Sequence, residues 1–290
     1  MKIFIGLTGL VCAAGLAAGL TASSAWAGAH ATGEQDAAAM LQEVLAGDHR
    51  SEANKARDEW RNPAETLAFF GLEPDMTVVE IWPSGGWYSE VIAPYIAKGG
   101  GKYYAAHNDP NGASERMLAG IESFKQKLSD PIYGDAEVVA FGPEVENIVP
   151  EGTADMVVSF RNIHNWMGRD WAEKAFADIY KALKPGGTFG VVEHRASDAV
   201  EQDPKAANGY VREDYAIALA EAAGFELVES SPINNNPNDT KDHPFGVWTL
   251  PPTLAKARFG DEPDPDFDQS PYQAIGESDR FTLKFRKPAE

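Results

Sequence analysis

Cysteine is almost missing from this 290-residue chain: its one copy is Cys12, inside an apolar N-terminal run. Residues 1–27 have the plan of a secretory signal peptide. Lys2 gives a minimal positive start, Ile3 to Leu20 is apolar, and Ala25 and Ala27 put small residues before Gly28. No positively charged stop-transfer flank follows, and Val11 before Cys12 suits a lipoprotein site poorly. Cleavage is expected there, giving an exported, periplasmic protein without cysteine. Disulfides, thiolate nucleophiles and thiolate metal sites are then excluded together, and burial alone must stabilise the core.

Positive charge is also scarce, with 25 Lys and Arg against 44 Asp and Glu and a net charge of −19. Such a field repels phosphate backbones and anionic lipid surfaces. The expected partner is a small molecule, with no nucleic acid and, once the leader is removed, no membrane; the oligomeric state is not set by the sequence. Several motifs are absent as well. There is no G-x-G-x-x-G for a dinucleotide, no G-x-S-x-G nucleophile elbow and no His-x-x-x-His metal pair. The acidic DEPDPDFD run at 261–268 has prolines and lacks the glycine and glutamate of an EF-hand loop, so it reads as solvated surface.

What is present is an alternation of short apolar strands with helices. Strands are expected over 77–81, 102–106, 137–141, 154–160, 188–192, 225–229 and 280–286. Helices are expected over 114–128, 171–183 and 214–223, and one begins at Asn62-Pro63-Ala64-Glu65, with Asn62 as cap and Glu65 reaching back. This pattern implies an α/β fold, a doubly wound and mostly parallel sheet with helices on both faces. The expected organisation is a leader (1–27), an N-terminal helical extension (28–60) and one domain (61–290). Within the domain, 232–278 is a Pro/Asn/Asp-rich loop insertion. Phe245, Trp248 and Leu250 are costly to leave exposed, so its first part is expected to wall a substrate site.

The most informative stretch is TVVEIWPSGGWYSEV, 77–91. A buried strand ending on Glu80, a small-residue turn and a helix start together offer backbone N–H groups to a ligand. The stretch resembles the first motif of the class I S-adenosylmethionine-dependent methyltransferases, acid-x-Gly-x-Gly-x-Gly. Glu80 aligns with the acid, while Trp82, Ser84 and Gly86 align with the glycines, so only the third glycine survives. Other segments resemble the same superfamily in the required order: His107-Asn108-Asp109-Pro110 after strand two, ADMVVSFRNIHNW at strand four, ALKPGGTFGVVEH at strand five and EAAGFELVES at strand six. More narrowly, the chain resembles an exported bacterial family of predicted methyltransferases. That likeness is carried by Arg57-Asp58, Arg61 to Leu67, Gly86-Trp87-Tyr88, Asn236 to Asp239 and Ser278 to Phe281.

The resemblance implies a Rossmann-like, seven-stranded sheet of the class I methyltransferase type with S-adenosyl-L-methionine as cofactor. The cofactor would be held by Glu80, Trp82, Ser84, Gly85, Gly86, Tyr88 and Asp109, the last on the ribose hydroxyls. Arg161 and Asn162 are candidates for a ligand's carboxylate or adenine; their alternative role is to order the loop. His164 and His194, following strands four and five, are the candidate bases. For His164 the alternative is a packed or capping histidine, and for Tyr88 an ordinary core aromatic. No metal is expected, since His107, Asp109, His164, Glu193 and His194 show no recognised ligand spacing. Two readings stand: a methyltransferase acting on an unidentified small molecule, or an exported non-catalytic relative that binds a small ligand or partner.

Overall fold

The computed structural model describes residues 35–289 and Met1; the expected leader lies outside the described residues. In chain order the elements are α1 (35–46), α2 (Glu52–Lys55), α3 (Asp58–Arg61), α4 (Pro63–Phe70), β1 (Thr77–Ile81), α5 (Ser89–Gly99), β2 (Lys102–Asn108) and α6 (Glu115–Leu128). There follow β3 (Glu137–Phe141), β4 (Ala154–Phe160), α7 (Ile163–Gly168), α8 (Ala172–Ala182), β5 (Leu183–His194), α9 (Glu213–Ala222), β6 (Glu226–Ser231), α10 (Ser270–Ile275) and β7 (Arg280–Arg286). Among the described residues no helix is long and apolar enough to cross a membrane.

The seven strands form one sheet in the order β3-β2-β1-β4-β5-β7-β6. β1 pairs in parallel with both β2 and β4, and β7 enters antiparallel between β5 and β6. Val78, Val79, Met156, Val157 and Val158 are fully buried on the two central strands, as expected for a sheet covered on both faces. Strand order reverses between β1 and β4. Their carboxyl ends therefore diverge into loops that run opposite ways, leaving a crevice where ligands bind in open α/β sheets.

Two sequence expectations are adjusted by their surroundings. Asn62 does not cap α4 through its side chain. It closes α3 in the left-handed conformation (φ 41°), and its amide donates instead to the Ile233 carbonyl at 2.9 Å. With the two helices abutting, the residue between them is needed to reverse the chain. β5 starts earlier than expected, at Leu183, because Ala154 pairs with Leu183 across a bulge before the regular register begins at Met156 and Thr188.

Close approach fixes Gly190 on β5. A Cβ there would lie 2.6 Å from the ring of Phe70, a wholly buried residue of α4. Glu80 fixes the end of β1 in another way. It is buried, and its Oε2 accepts from the Tyr103 hydroxyl of β2 (2.5 Å) and the Ser89 hydroxyl of α5 (2.8 Å). Burial, the dominant influence, pushes its carboxyl from 4.5 up to about 7 against these hydrogen bonds and the charges of Lys127 and Arg161.

Gly190→Ala is expected to destabilise the fold by about 1–3 kcal/mol through overpacking, measured by urea denaturation; an unchanged midpoint would contradict the packing account. The folded protein also holds the Glu80 proton more tightly than the unfolded chain does. The resulting stability is present below about pH 4.5 and lost as pH rises through about 7. Between pH 5 and pH 8 the wild type should therefore lose stability relative to Glu80→Gln, by up to roughly 3 kcal/mol. Parallel pH curves for the two proteins would contradict this.

Candidate functional site

Two cavities open at the β1/β4 crevice. The smaller, about 250 Å³, is walled by the β1 turn (Glu80 to Ser84, Trp87, Tyr88) and the β4 end (Phe160 to Asn162, His164, Asn165). His194 at the end of β5, Glu277 and Ser278 before β7, and Val247, Trp248 and Pro251 to Thr253 complete it. The larger, about 690 Å³, lies between Ser84-Gly85, His107-Asn108 at the end of β2, and the face of α6 that carries Met117, Phe124 and Lys127. Trp82, Ser84, Asn162 and Asn165 line both. The first part of the long β6–β7 connection thus walls the smaller cavity, with Leu250 buried and Trp248 37% exposed.

The turn keeps a glycine-like path with only the third of the three glycines. Trp82 (φ 45°) and Ser84 (φ 56°) both take the left-handed conformation, as does Gly86 (φ 81°). Across the crevice Arg161 does the same (φ 63°). Each non-glycine case costs about 1–3 kcal/mol and persists only where neighbours hold it. Here the sheet does so: the Trp82 N–H donates to Ala106 of β2 (2.8 Å) and the Arg161 N–H to Val192 of β5 (2.7 Å). A side chain at Gly86 would meet Phe124 at 2.8 Å.

The indole of Trp82 turns off the loop toward the end of β3. Its Nε1–H donates to the Phe141 carbonyl (3.0 Å), and its rings pack edge-on or tilted against Phe141, Trp166 and Trp171. Trp82 thereby stands between the two cavities. Tyr88 stacks on Phe160 with centroids 3.5 Å apart, and its hydroxyl donates to the Arg61 carbonyl.

His164 and His194 lie together, ring centroids 5.3 Å apart. Glu193, fully buried, organises them. One of its oxygens accepts the N–H of Ile163 (2.6 Å) and of His164 (3.3 Å); the other accepts the His194 N–H (2.7 Å) and faces His164 Nδ1 (3.1 Å). A carboxylate at Nδ1 puts the ring proton there, so we assign Nε2 as the acceptor; the Asn165 amide lies 2.9 Å from it. His194 Nδ1 contacts the Ser278 hydroxyl at 2.6 Å. Burial first, then His164, Arg161, Arg280 and Arg61, pull the His194 pKa well below the usual imidazole value, so its ring is neutral at neutral pH.

His164, Glu193 and His194 each bring one ligand atom within 4.8 Å of the others, a grouping the sequence spacing does not reveal. Glu193 is already engaged by three backbone N–H groups. The nearby guanidinium groups also oppose a cation, so the chemistry of the donor set favours an oriented histidine over a metal centre. His107 sits apart, buried in the wall of the larger cavity, with its Nδ1 accepting the Asn108 N–H at 2.8 Å. Asp109 lines neither cavity; its Oδ1 accepts from the backbone and side-chain N–H groups of Asn111. At the end of β2, His107 and Asn108 occupy the place where the resemblance implies a carboxylate.

Five side chains that sequence reasoning left without a role complete the site. Glu277, lining the smaller cavity, accepts from Arg57 Nε (2.7 Å), Arg61 Nε (3.0 Å) and Arg280 Nη1 (3.2 Å). Arg161 Nη1 stands 4.0 Å away. These guanidinium groups, Arg61 and Arg280 foremost, overcome burial and hold the Glu277 carboxyl down at about 2. Ser278 positions His194. The resembling segments 57–67 and 278–281 contain four of the five, and that resemblance was the available signal.

No family model matches the chain, and no curated protein matches it. Solved structures do. The cyclase SpnF aligns with a TM-score of 0.54 at 13% identity, over 89% of this chain and 96% of its own. A candidate sarcosine dimethylglycine methyltransferase from Galdieria sulphuraria aligns with a TM-score of 0.52 at 12% identity, over 81% of this chain and 86% of its own. With its strand order and antiparallel β7, the chain has the Rossmann-like fold of the class I methyltransferases.

Proposed function

We propose that this chain is an S-adenosylmethionine-dependent methyltransferase acting on a small molecule. The observation that carries the reading is the clustering of Trp82, Ser84 and Arg161, three non-glycine residues held at positive φ, around one crevice at the strand-order reversal. Strain maintained at a ligand crevice marks a site where backbone placement matters to function.

The larger cavity has the size of a ligand pocket, typically about 300–1,000 Å³, and is the one we assign to the cofactor. Ser84 and Gly85 would present backbone to it, His107 and Asn108 would meet its ribose, and Asn162 and Asn165 would bridge to the smaller cavity. When bound, the cofactor supplies an electrophilic methyl group on a cationic sulfur. The smaller cavity takes the acceptor. There His164, oriented by Glu193, offers Nε2 to receive a proton from an acceptor hydroxyl or amine that takes the place of the Asn165 amide. His194 remains neutral and fixed by Ser278. Trp248 and Pro251 to Thr253 limit water access from the side of the long connection.

Two observations favour the second reading, ligand binding without chemistry: Trp82 stands at a glycine position in the crevice, and Asp109, just past the end of β2, lines neither cavity. Export into the periplasm, as expected from residues 1–27, would also place the chain away from the usual supply of the cofactor. On the first reading, calorimetry should give saturable heat with S-adenosylmethionine and with S-adenosylhomocysteine. Gly86→Val should weaken this at least tenfold, and His164→Gln should leave it within twofold. Absence of heat and of any thermal shift at millimolar ligand would sink the enzyme reading in favour of the second.

A further inference from the structure

We propose that the smaller cavity is an acceptor site for a small organic carboxylate, received by Arg161 in the field of Arg57, Arg61 and Arg280. The word acceptor rests on the methyltransferase reading; the recognition of an anion does not.

Four guanidinium groups converge on the single carboxylate of Glu277. Three of them hydrogen-bond it, and Arg161 at 4.0 Å lies outside hydrogen-bond reach. Nη1 of Arg61 and Nη2 of Arg57 are buried with no hydrogen-bond partner. Burial pulls the Arg61 pKa well below its ordinary value, with Arg161 adding to the effect, and lowers that of Arg161 too. Solvent softens the penalty at Arg161, whose side chain keeps 24% of its exposure. Buried positive charge in excess of its counter-charge is costly unless something anionic joins it. The excess is local, because the chain as a whole carries −19.

Among the described residues, Arg161 is the one guanidinium in the wall of the smaller cavity. Its planar fork matches a carboxylate in a two-point contact that a lysine cannot make. The cavity, about 250 Å³, holds on the order of eight water volumes, so the anion is small. His164 lines the same cavity. A ligand carboxylate on Arg161 therefore leaves the rest of a short molecule to extend toward Nε2. Neutral His194 adds no competing charge.

The test uses the cofactor-free protein titrated with 4-hydroxybenzoate and with the isosteric neutral 4-hydroxybenzamide, read by calorimetry and tryptophan fluorescence. The acid should bind at least tenfold more tightly than the amide. Arg161→Gln should abolish that preference and Arg161→Lys should retain part of it, with thermal melts confirming that both variants fold. Equal affinities, no binding of the acid at millimolar concentration, or a preference surviving in Arg161→Gln would overturn the proposal. Unchanged acid affinity under saturating S-adenosylhomocysteine supports a separate acceptor site. Competition by S-adenosylhomocysteine but not by 5′-methylthioadenosine, which lacks the carboxylate, would assign Arg161 to the cofactor's amino-acid end and overturn it. If S-adenosylhomocysteine fails to bind while the acid preference holds, the anion site stands and the methyltransferase reading falls.

Discussion

The contact on which the site depends is Glu277 among Arg57, Arg61 and Arg280. It joins the segment before α4, the approach to β7 and, through Arg161, the end of β4. Removing such a carboxylate would leave several buried cations facing one another, a far greater loss than that of an exposed ion pair. The same contact shapes the crevice. Tyr88 is tied to the Arg61 carbonyl and lies flat on Phe160, and Arg61 covers Trp87 at 4.6 Å from the ring centroid. Chain regions more than 200 residues apart thus set the wall of one small cavity.

A second buried carboxylate does the opposite work. Glu193 is saturated by backbone N–H groups at the start of α7 and at the end of β5, and spends its remaining contact on His164 Nδ1. The helix start is thereby satisfied and the imidazole oriented by one group. Glu80, by contrast, accepts from two hydroxyls, and burial outweighs the charges of Lys127 and Arg161 in its titration. Three acids near one crevice therefore have three environments: one held ionised by arginines, one spent on backbone amides, one raised toward neutrality.

Much of the sheet was legible in the residues. β1, β3, β4 and β7 begin and end where their apolar runs do; for the central parallel strands β1 and β4, burial on both faces admits little else. The turn after Glu80 was legible as a ligand cradle from its small residues, and His164 from its place after β4. The arginine cluster was not. Residues 57, 61, 161, 277 and 280 acquire meaning only when the topology brings the two ends of the domain to β4. The path of Trp82 was equally hidden, since a bulky residue in a glycine position gives no sign of which neighbours receive its indole; Phe141, Trp166 and Trp171 lie on three other elements or loops. Asp109 followed from the resemblance alone, and its place two positions after His107 carries it past the end of β2 into a turn with Asn111.

The central claim is that the β1/β4 edge holds two adjoining ligands, one on each side of Trp82. A crystal structure of the protein with S-adenosylhomocysteine tests it most directly. The account predicts the nucleoside in the larger cavity against Ser84, Gly85 and Asn108, with Arg161 left facing an open smaller cavity. A ligand seated wholly on the Arg161 side, or a crevice still closed by Trp82 and without ligand at saturating concentration, would contradict it.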